Sequence, residues 1–277
     1  MKSFRYLFII LSITLFTNCS DDDASEQIMS LESEIFNIAT VGSSGVFGTI
    51  EYFKNSNSTI TIEINLVGIT VSQSYPATIY FDTAVEFEQS TTMVALNLEP
   101  VDGNTGKSRT TFSTLENGTA ITYEELLNFD GNVVINQSGT STSVLAQSDI
   151  GQNIVTTNNI NYALNGVDVT DISGVISFSE RVNGEALAVI TLTGSPAGGM
   201  HPAHIHVGSV ATAPGAIMFS FTPVDGTMGI SKSNIAKLDD GTPFGYTDIL
   251  NVNGYVNVHL SSTNLGTLIA QGNIGIN

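Results

Sequence analysis

The sequence predicts an all-β protein built as two tandem antiparallel β-sandwich domains, each with one short helix. Strand-like alternation of polar and apolar residues recurs along the chain, as in Thr59–Leu66 and Val175–Phe178. Turn pairs, Asp102-Gly103 and Asp225-Gly226, separate such runs. The chain also contains an internal repeat whose unit is much longer than the units of solenoid proteins. Each copy is therefore long enough to enclose its own hydrophobic core.

The repeat defines the predicted domain boundaries. Gly48–Tyr52 matches Gly174–Phe178 near the start of the two copies, and Pro100-Val101-Asp102-Gly103 recurs unchanged as Pro223-Val224-Asp225-Gly226. We expect a first domain over residues 34–151, a short polar linker over residues 152–159 and a second domain over residues 160–277.

One helix is predicted in each copy. Thr122 followed by Glu125 makes a capping-box pattern immediately before Leu126 and Leu127, and Tyr123 has its counterpart in Tyr246. The remaining periodicity fits roughly seven short strands for each domain. The expected fold is an immunoglobulin-like or superoxide-dismutase-like β-sandwich.

The N-terminus has the pattern of an export signal. Lys2 and Arg5 precede the apolar stretch Tyr6–Phe16, which is too short to span a bilayer as a permanent helix. Cys19, the only cysteine, follows at once, and Leu15–Cys19 resembles the lipobox of bacterial lipoproteins. This resemblance implies a signal peptide over residues 1–18 and a lipid anchor on Cys19. The other interpretation is a free cysteine in an ordinary signal peptide.

An acidic tether is expected over residues 19–33. The run Asp21-Asp22-Asp23 resembles the surface-export signal of Bacteroidota lipoproteins, which would place the protein on the bacterial outer membrane and at the cell surface. A solvated spacer is the alternative explanation.

The charge of the chain excludes one class of partner. The formal net charge is -18, with 26 acidic and eight basic residues. Nucleic-acid binding requires a cationic surface, so no nucleic-acid partner is expected. With one cysteine in the whole chain, neither domain can hold an internal disulfide, and each must rely on its apolar core.

All four histidines lie in the second copy. His204 and His206 are two positions apart on a predicted strand and therefore share one face, while Ile205 lies on the other. His259 ends a second predicted strand. If these strands are neighbours, the three imidazoles converge. Zn²⁺ or Cu²⁺ would accept such a set, with His201 as a fourth candidate ligand.

Three alternatives to metal binding remain open for the histidines. They could form a structural cluster whose rings bond to one another or to backbone carbonyls, they could take part in catalysis, or they could recognise a ligand without a metal. The first copy keeps the frame but has Thr78, Tyr80 and Asn136 at the corresponding positions. We expect no transition metal there.

The histidine motifs carry a family resemblance. Ala203–Gly208, Ala213–Gly215, Tyr255–His259 and the closing Gly266–Gln271 resemble the CHRD domain, a module named from chordin and also found in secreted bacterial proteins. The resemblance covers most of residues 160–275 and implies an extracellular β-sandwich without an agreed activity. We therefore expect a non-enzymatic surface lipoprotein that binds an extracellular protein, glycan or matrix. The alternative is a copper or zinc protein, a carrier or a redox protein, that uses the second copy.

Overall fold

The computed structural model describes residues 29–90 and 92–277, so the signal segment, Cys19 and most of the tether lie outside the described residues. Within these ranges the protein consists mainly of antiparallel strands, which confirms the all-β prediction. No helix in this part of the chain has the length and apolar character needed to cross a bilayer.

Eight strands of the first copy form one closed sheet in the order β1-β2-β3-β6-β5-β4-β7-β8. The alternation of β3 explains its place in this sheet, because Ile62, Ile64 and Leu66 all point to the interior. The strands are β1 (Ser30–Thr40), β2 (Phe47–Asn55), β3 (Ile60–Val67), β4 (Ser74–Phe81), β5 (Val94–Asp102), β6 (Lys107–Phe112), β7 (Asp130–Asn136) and β8 (Val144–Gly151).

Ten strands of the second copy form one sheet in the order β12-β15-β16-β11-β10-β9-β18-β17-β13-β14. They are β9 (Val155–Gly166), β10 (Ser173–Arg181), β11 (Ala186–Thr193), β12 (Met200–His201), β13 (Ala203–Val207), β14 (Ile217–Ser220), β15 (Val224–Asp225), β16 (Ile230–Ile235), β17 (Asn253–Ser261) and β18 (Asn264–Gly275).

Both sheets use one strand order. The counterpart of β4 is split at Pro202 into β12 and β13, and the counterpart of β5 is split into β14 and β15. The strands β12 and β15 therefore stand at one end of the ten-stranded order, and β13 and β14, which continue the same two strand positions, stand at the other end. Each copy has more strand segments than the roughly seven we expected, and the finer sandwich type stays a prediction.

Two separate hydrophobic clusters fill the two sheets. One runs from Ile38 to Ile150 and the other from Leu164 to Ile274, with no residue in common. This separation agrees with the expectation that each copy has its own core.

The helices differ from the prediction of one in each copy. The expected helix α2 (Tyr123–Leu127) is present with its Thr122 capping box, and α3 (Tyr246–Asn251) is its counterpart. The first copy has an additional helix, α1 (Ala84–Gln89), which also begins with a capping box. The prediction missed α1, although Thr83 and Glu86 repeat the pattern that identified α2.

The copies contact each other through α1 and a buried arginine. Gln89 Nε2 donates a hydrogen bond to the Lys232 carbonyl at 3.0 Å. Arg181 is fully buried and pairs with Asp149 at 2.7 Å, across the two copies. The strands also extend into both predicted connecting segments, because β1 begins at Ser30 and β9 at Val155.

Candidate metal-binding site

Three histidines meet on the outer face of two neighbouring strands. β13 and β17 pair antiparallel, with His204 opposite Asn257 and His206 opposite Tyr255. The apolar residues between them point to the core, so the histidines point away from it, as strand periodicity requires. The ring of His204 lies 5.1 Å from that of His259 and 5.8 Å from that of His206, measured between centroids.

The ligand atoms of this cluster are close enough for one ion. One nitrogen from each of His204, His206 and His259 lies within 4.8 Å of the others. Ligands at 2.0–2.1 Å from a tetrahedral ion are about 3.3 Å apart, so binding requires the nitrogens to approach one another by at most about 1.5 Å. The cluster is therefore a slightly open version of a three-histidine site.

Backbone carbonyls fix two of the three rings. His206 Nδ1 lies 2.9 Å from the Gly215 carbonyl oxygen, and His259 Nδ1 lies 2.7 Å from that of Leu265. A carbonyl only accepts, so each Nδ1 carries the proton and donates. The neutral ring then has its lone pair on Nε2, which is the arrangement that metal-ligating histidines commonly show.

His204 has no such support. Its Nδ1 is buried, and among the described residues no group hydrogen-bonds to it; the same holds for His206 Nε2. A buried polar atom without a partner costs roughly 1–3 kcal/mol, so two such atoms in one cluster call for an explanation. A bound cation would accept both lone pairs.

The site favours uncharged imidazoles. Burial lowers the pKa of His204, and charges on His259 and His206 lower it further, while Asp239 opposes them. Burial also lowers the pKa of His259, against the hydrogen bond to Leu265. Neutral imidazole is the form that binds metal, so these shifts preserve ligand capacity to lower pH than usual.

The carboxylate of Asp239 acts on His204 through its charge but is hydrogen-bonded to Ser220. Its two carboxylate oxygens accept hydrogen bonds from the Ser220 amide at 3.0 Å and the Ser220 hydroxyl at 2.7 Å. Ser220 lies opposite His204 in the β13–β14 pair. Asp239 therefore contributes negative potential beside His204 rather than a free ligand oxygen.

Tyr255 contacts both the ring of His206 and the loop that contains Gly215. Its ring stacks on that of His206 with centroids 5.1 Å apart and an interplanar angle of 15°. Its hydroxyl accepts a hydrogen bond from the Gly215 amide at 2.7 Å, so Gly215 binds both Tyr255 and His206. This contact fixes the loop that orients the His206 ring.

His201, expected as a fourth candidate ligand, does not join the cluster. Its buried ring lies between two backbone carbonyls, with Nδ1 2.8 Å from the Leu260 oxygen and Nε2 3.0 Å from the Pro196 oxygen. Pro202 separates it from β13, so it belongs to the short strand β12. The structure gives His201 a structural role and places it outside the cluster that it was expected to complete.

The first copy has the same geometry at this position without the histidines. Thr78 and Tyr80 take the places of His204 and His206 on β4, and Asn136 takes the place of His259 on β7. At the position of His201, the hydroxyl of Tyr75 contacts the Thr70 backbone. The equivalence confirms the repeat alignment at this edge.

Sequence reasoning missed four contributors to the site: Tyr255, Asn257, and the carbonyl groups of Gly215 and Leu265. Asn257 was detectable, because its counterpart in the first copy is the apolar Val134. The carbonyls were not, because no sequence pattern indicates where a loop returns to a side chain.

No protein-family model, no curated protein and no solved structure matched the chain in the three comparisons. The interpretation of the site therefore depends on its own geometry.

Proposed function

We propose that the chain binds a transition-metal ion, copper or zinc, through His204, His206 and His259 of its second copy. Two observations together support this proposal. Backbone carbonyls fix the rings of His206 and His259. Two buried nitrogens, His204 Nδ1 and His206 Nε2, have no hydrogen-bond partner among the described residues.

A purely structural cluster would use its nitrogens differently. His201 provides the comparison within the same copy, because both of its ring nitrogens face carbonyl oxygens at hydrogen-bonding distance. In the three-histidine cluster each fixed ring uses only Nδ1, which leaves the other nitrogen toward the neighbouring rings. Imidazole ligands of neutral charge suit Zn²⁺ and copper and not the oxygen-seeking Ca²⁺ or Mg²⁺.

The first copy supplies a matched control variant. The triple substitution His204→Thr, His206→Tyr and His259→Asn installs the residues that the first copy has at these positions. We expect the purified wild-type chain to bind one equivalent of Zn²⁺ or Cu²⁺ by calorimetry. We expect the triple variant to bind none while it keeps its β-sheet circular dichroism.

Thermal unfolding provides a second measurement. An ion at one hundred times its dissociation constant stabilises the folded state by about 2.7 kcal/mol, so the melting temperature of the wild type should rise with added metal. A His201→Ala variant should keep stoichiometric binding if it folds. Equal metal binding by the wild type and the triple variant would reject the proposed site.

We further propose that the second copy is a CHRD-type module and that the protein is anchored by lipid on Cys19 at the cell surface, where it binds an extracellular protein or glycan. The support is the sequence resemblance together with an exposed apolar pair on the first copy. Phe47 and Val67 are cross-strand partners and both remain about half exposed, as residues at binding surfaces often are.

Membrane fractionation tests the anchor. Replacement of Cys19 by alanine should release the protein from the membrane fraction or block its processing. Unchanged partitioning and processing of the Cys19→Ala protein would contradict the lipid anchor, and protease treatment of intact cells would test surface exposure separately.

A further inference from the structure

We infer that the three-histidine site keeps a fourth, exchangeable coordination position for a water molecule, and that Asn257 Oδ1 accepts a hydrogen bond from this water. The inference rests on the proposed metal function and adds a residue and a ligand class to it.

The first step is the count of ligands. Among the described residues the cluster of possible ligands contains three, and two further candidates, His201 and Asp239, have other partners. Both ring nitrogens of His201 face backbone carbonyl oxygens, and both carboxylate oxygens of Asp239 accept hydrogen bonds from Ser220. Zinc prefers four ligands, and a site with three protein ligands takes a water or another small ligand in the fourth position.

The second step is the position of Asn257. It lies directly opposite His204 across the β13–β17 pair and on the same face of β17 as His259. The side chain is buried, and Oδ1 has no donor among the residues that the structure describes. A metal-bound water is a strong hydrogen-bond donor, and a site with three protein ligands has room for one. Asn257 Oδ1, which has no donor in the described part of the chain, is suited to accept this hydrogen bond.

The third step is the comparison with the first copy. Val134 occupies the position of Asn257, pairs with Thr78 as Asn257 pairs with His204, and is fully buried. An apolar residue therefore fits this strand position. The amide occurs in the copy that has the histidines, where its unpaired oxygen would otherwise cost free energy.

Cobalt(II) and azide test the inference in the full chain. Cobalt(II) accepts histidine ligands and has a visible spectrum that reports its coordination, and azide displaces metal-bound water. We expect the wild-type chain to bind cobalt and its spectrum to change with azide. The Asn257→Val variant should still bind cobalt, but its azide affinity should rise about fivefold or more, because azide replaces a water that has lost its acceptor.

The control is Gln271→Val, which removes the amide that lies opposite Asn257 on the side away from the histidines. Its azide affinity should equal that of the wild type. If Asn257→Val is poorly folded, Asn257→Ala replaces it.

Four outcomes would overturn the inference. Equal azide affinity in the wild type and the Asn257 variant removes the role of Asn257, and cobalt without any azide response removes the open position. Loss of cobalt in a folded Asn257 variant makes Asn257 a direct ligand. Failure of the wild type to bind cobalt, zinc or copper rejects the metal function itself, which the other three results do not.

Discussion

The two copies share strand order and register but cover the same face in different ways. In the first copy, α1 lies over β4, β7 and β8, where the Ala84 amide donates to Asp149 Oδ1 at 2.6 Å and the rings of Tyr80 and Phe87 are 4.6 Å apart. In the second copy a single 3-10 turn, Val210–Thr212, takes this position, and the Val210 amide donates to Asn273.

Helix α1 and the 3-10 turn begin at equivalent positions of the two copies. Thr83 and Ser209 precede them, and each follows a residue of positive φ, Asp82 at 66° and Gly208 at 97°. Glycine adopts positive φ without strain, which explains Gly208, and aspartate enters the region near 60° more readily than most residues. The shorter cover of the second copy leads to the Gly215 carbonyl, which fixes His206.

The same strand arrangement therefore supports different side chains and different covering segments on its outer face. A helix packs against the half-buried Tyr80 in the first copy, whereas backbone carbonyls orient two imidazoles in the second. The histidines alone would not make the site, because two of them depend on the backbone carbonyls of Gly215, in the loop after β13, and Leu265, near the start of β18.

Removal of the ion pair between the copies should have the largest effect on stability. Asp149→Ala leaves the buried Arg181 guanidinium without its carboxylate and frees the start of α1, so we expect a loss of about 3–5 kcal/mol. The equivalent Asn273→Ala removes one hydrogen bond, to Val210, and should cost about 1 kcal/mol. Urea denaturation measures both, and equal losses would contradict the cross-copy pair.

Truncation of equivalent core residues should show whether the two copies unfold in separate transitions. Ile79→Ala and Ile205→Ala each remove a buried side chain from a different cluster, at a cost of about 2–5 kcal/mol. We expect each variant to lower the melting temperature of one unfolding transition by calorimetry. If both variants shift the whole unfolding profile alike, the two copies unfold as one cooperative unit.

Between pH 7.5 and pH 5.5, protonation of the histidines should destabilise the second copy. The pKa values of His204 and His259 are lowered by burial in the folded chain, so the unfolded chain takes up protons first as the pH falls. This contribution is fully present above the ordinary histidine pKa of 6.5 and is lost as the pH falls through the lower, folded values. Denaturation of the metal-free chain at pH 7.5 and pH 5.5 measures it. The triple variant should show a smaller loss, and an equal loss would assign the effect to other groups.

The helix caps should give the smallest effect. Thr122 caps α2 with its side chain, whereas the equivalent Gly245 of α3 has none. Thr122→Ala should cost about 1 kcal/mol. Gly245→Thr should destabilise as well, because a Cβ at Gly245 would lie 2.4 Å from the Gly184 carbonyl oxygen. A stabilising Gly245→Thr substitution would show that the backbone there can move.

Much of the fold was predictable because alternation and repetition are local signals. The alternation of Thr59–Leu66 predicts β3, and the capping box at Thr122 predicts α2. The same pattern at Thr83 could have predicted α1. The split of the second copy at Pro202 was harder to foresee, because Pro76 occupies the same position within a continuous β4.

The candidate site was predictable in part. Strand periodicity placed His204 and His206 on one face, whereas the position of His259 depended on the two strands being neighbours. The ring of His201 was harder to place, because it lies three positions before His204, on the far side of Pro202, and its direction depends on the carbonyls of Pro196 and Leu260.

The sequence by itself determined the β class, the two copies and the confinement of the histidines to the second, since these depend on residue order alone. The tertiary structure decided which histidines meet, which nitrogen of each ring stays available and that Asn257 lies beside them. Those facts depend on the pairing of β13 with β17, which are distant in sequence, and on where the backbone carbonyls of Gly215 and Leu265 come to lie against the rings. The inward-facing residues of both strands belong to the second hydrophobic cluster, so the packing of that cluster fixes the distances between the histidines.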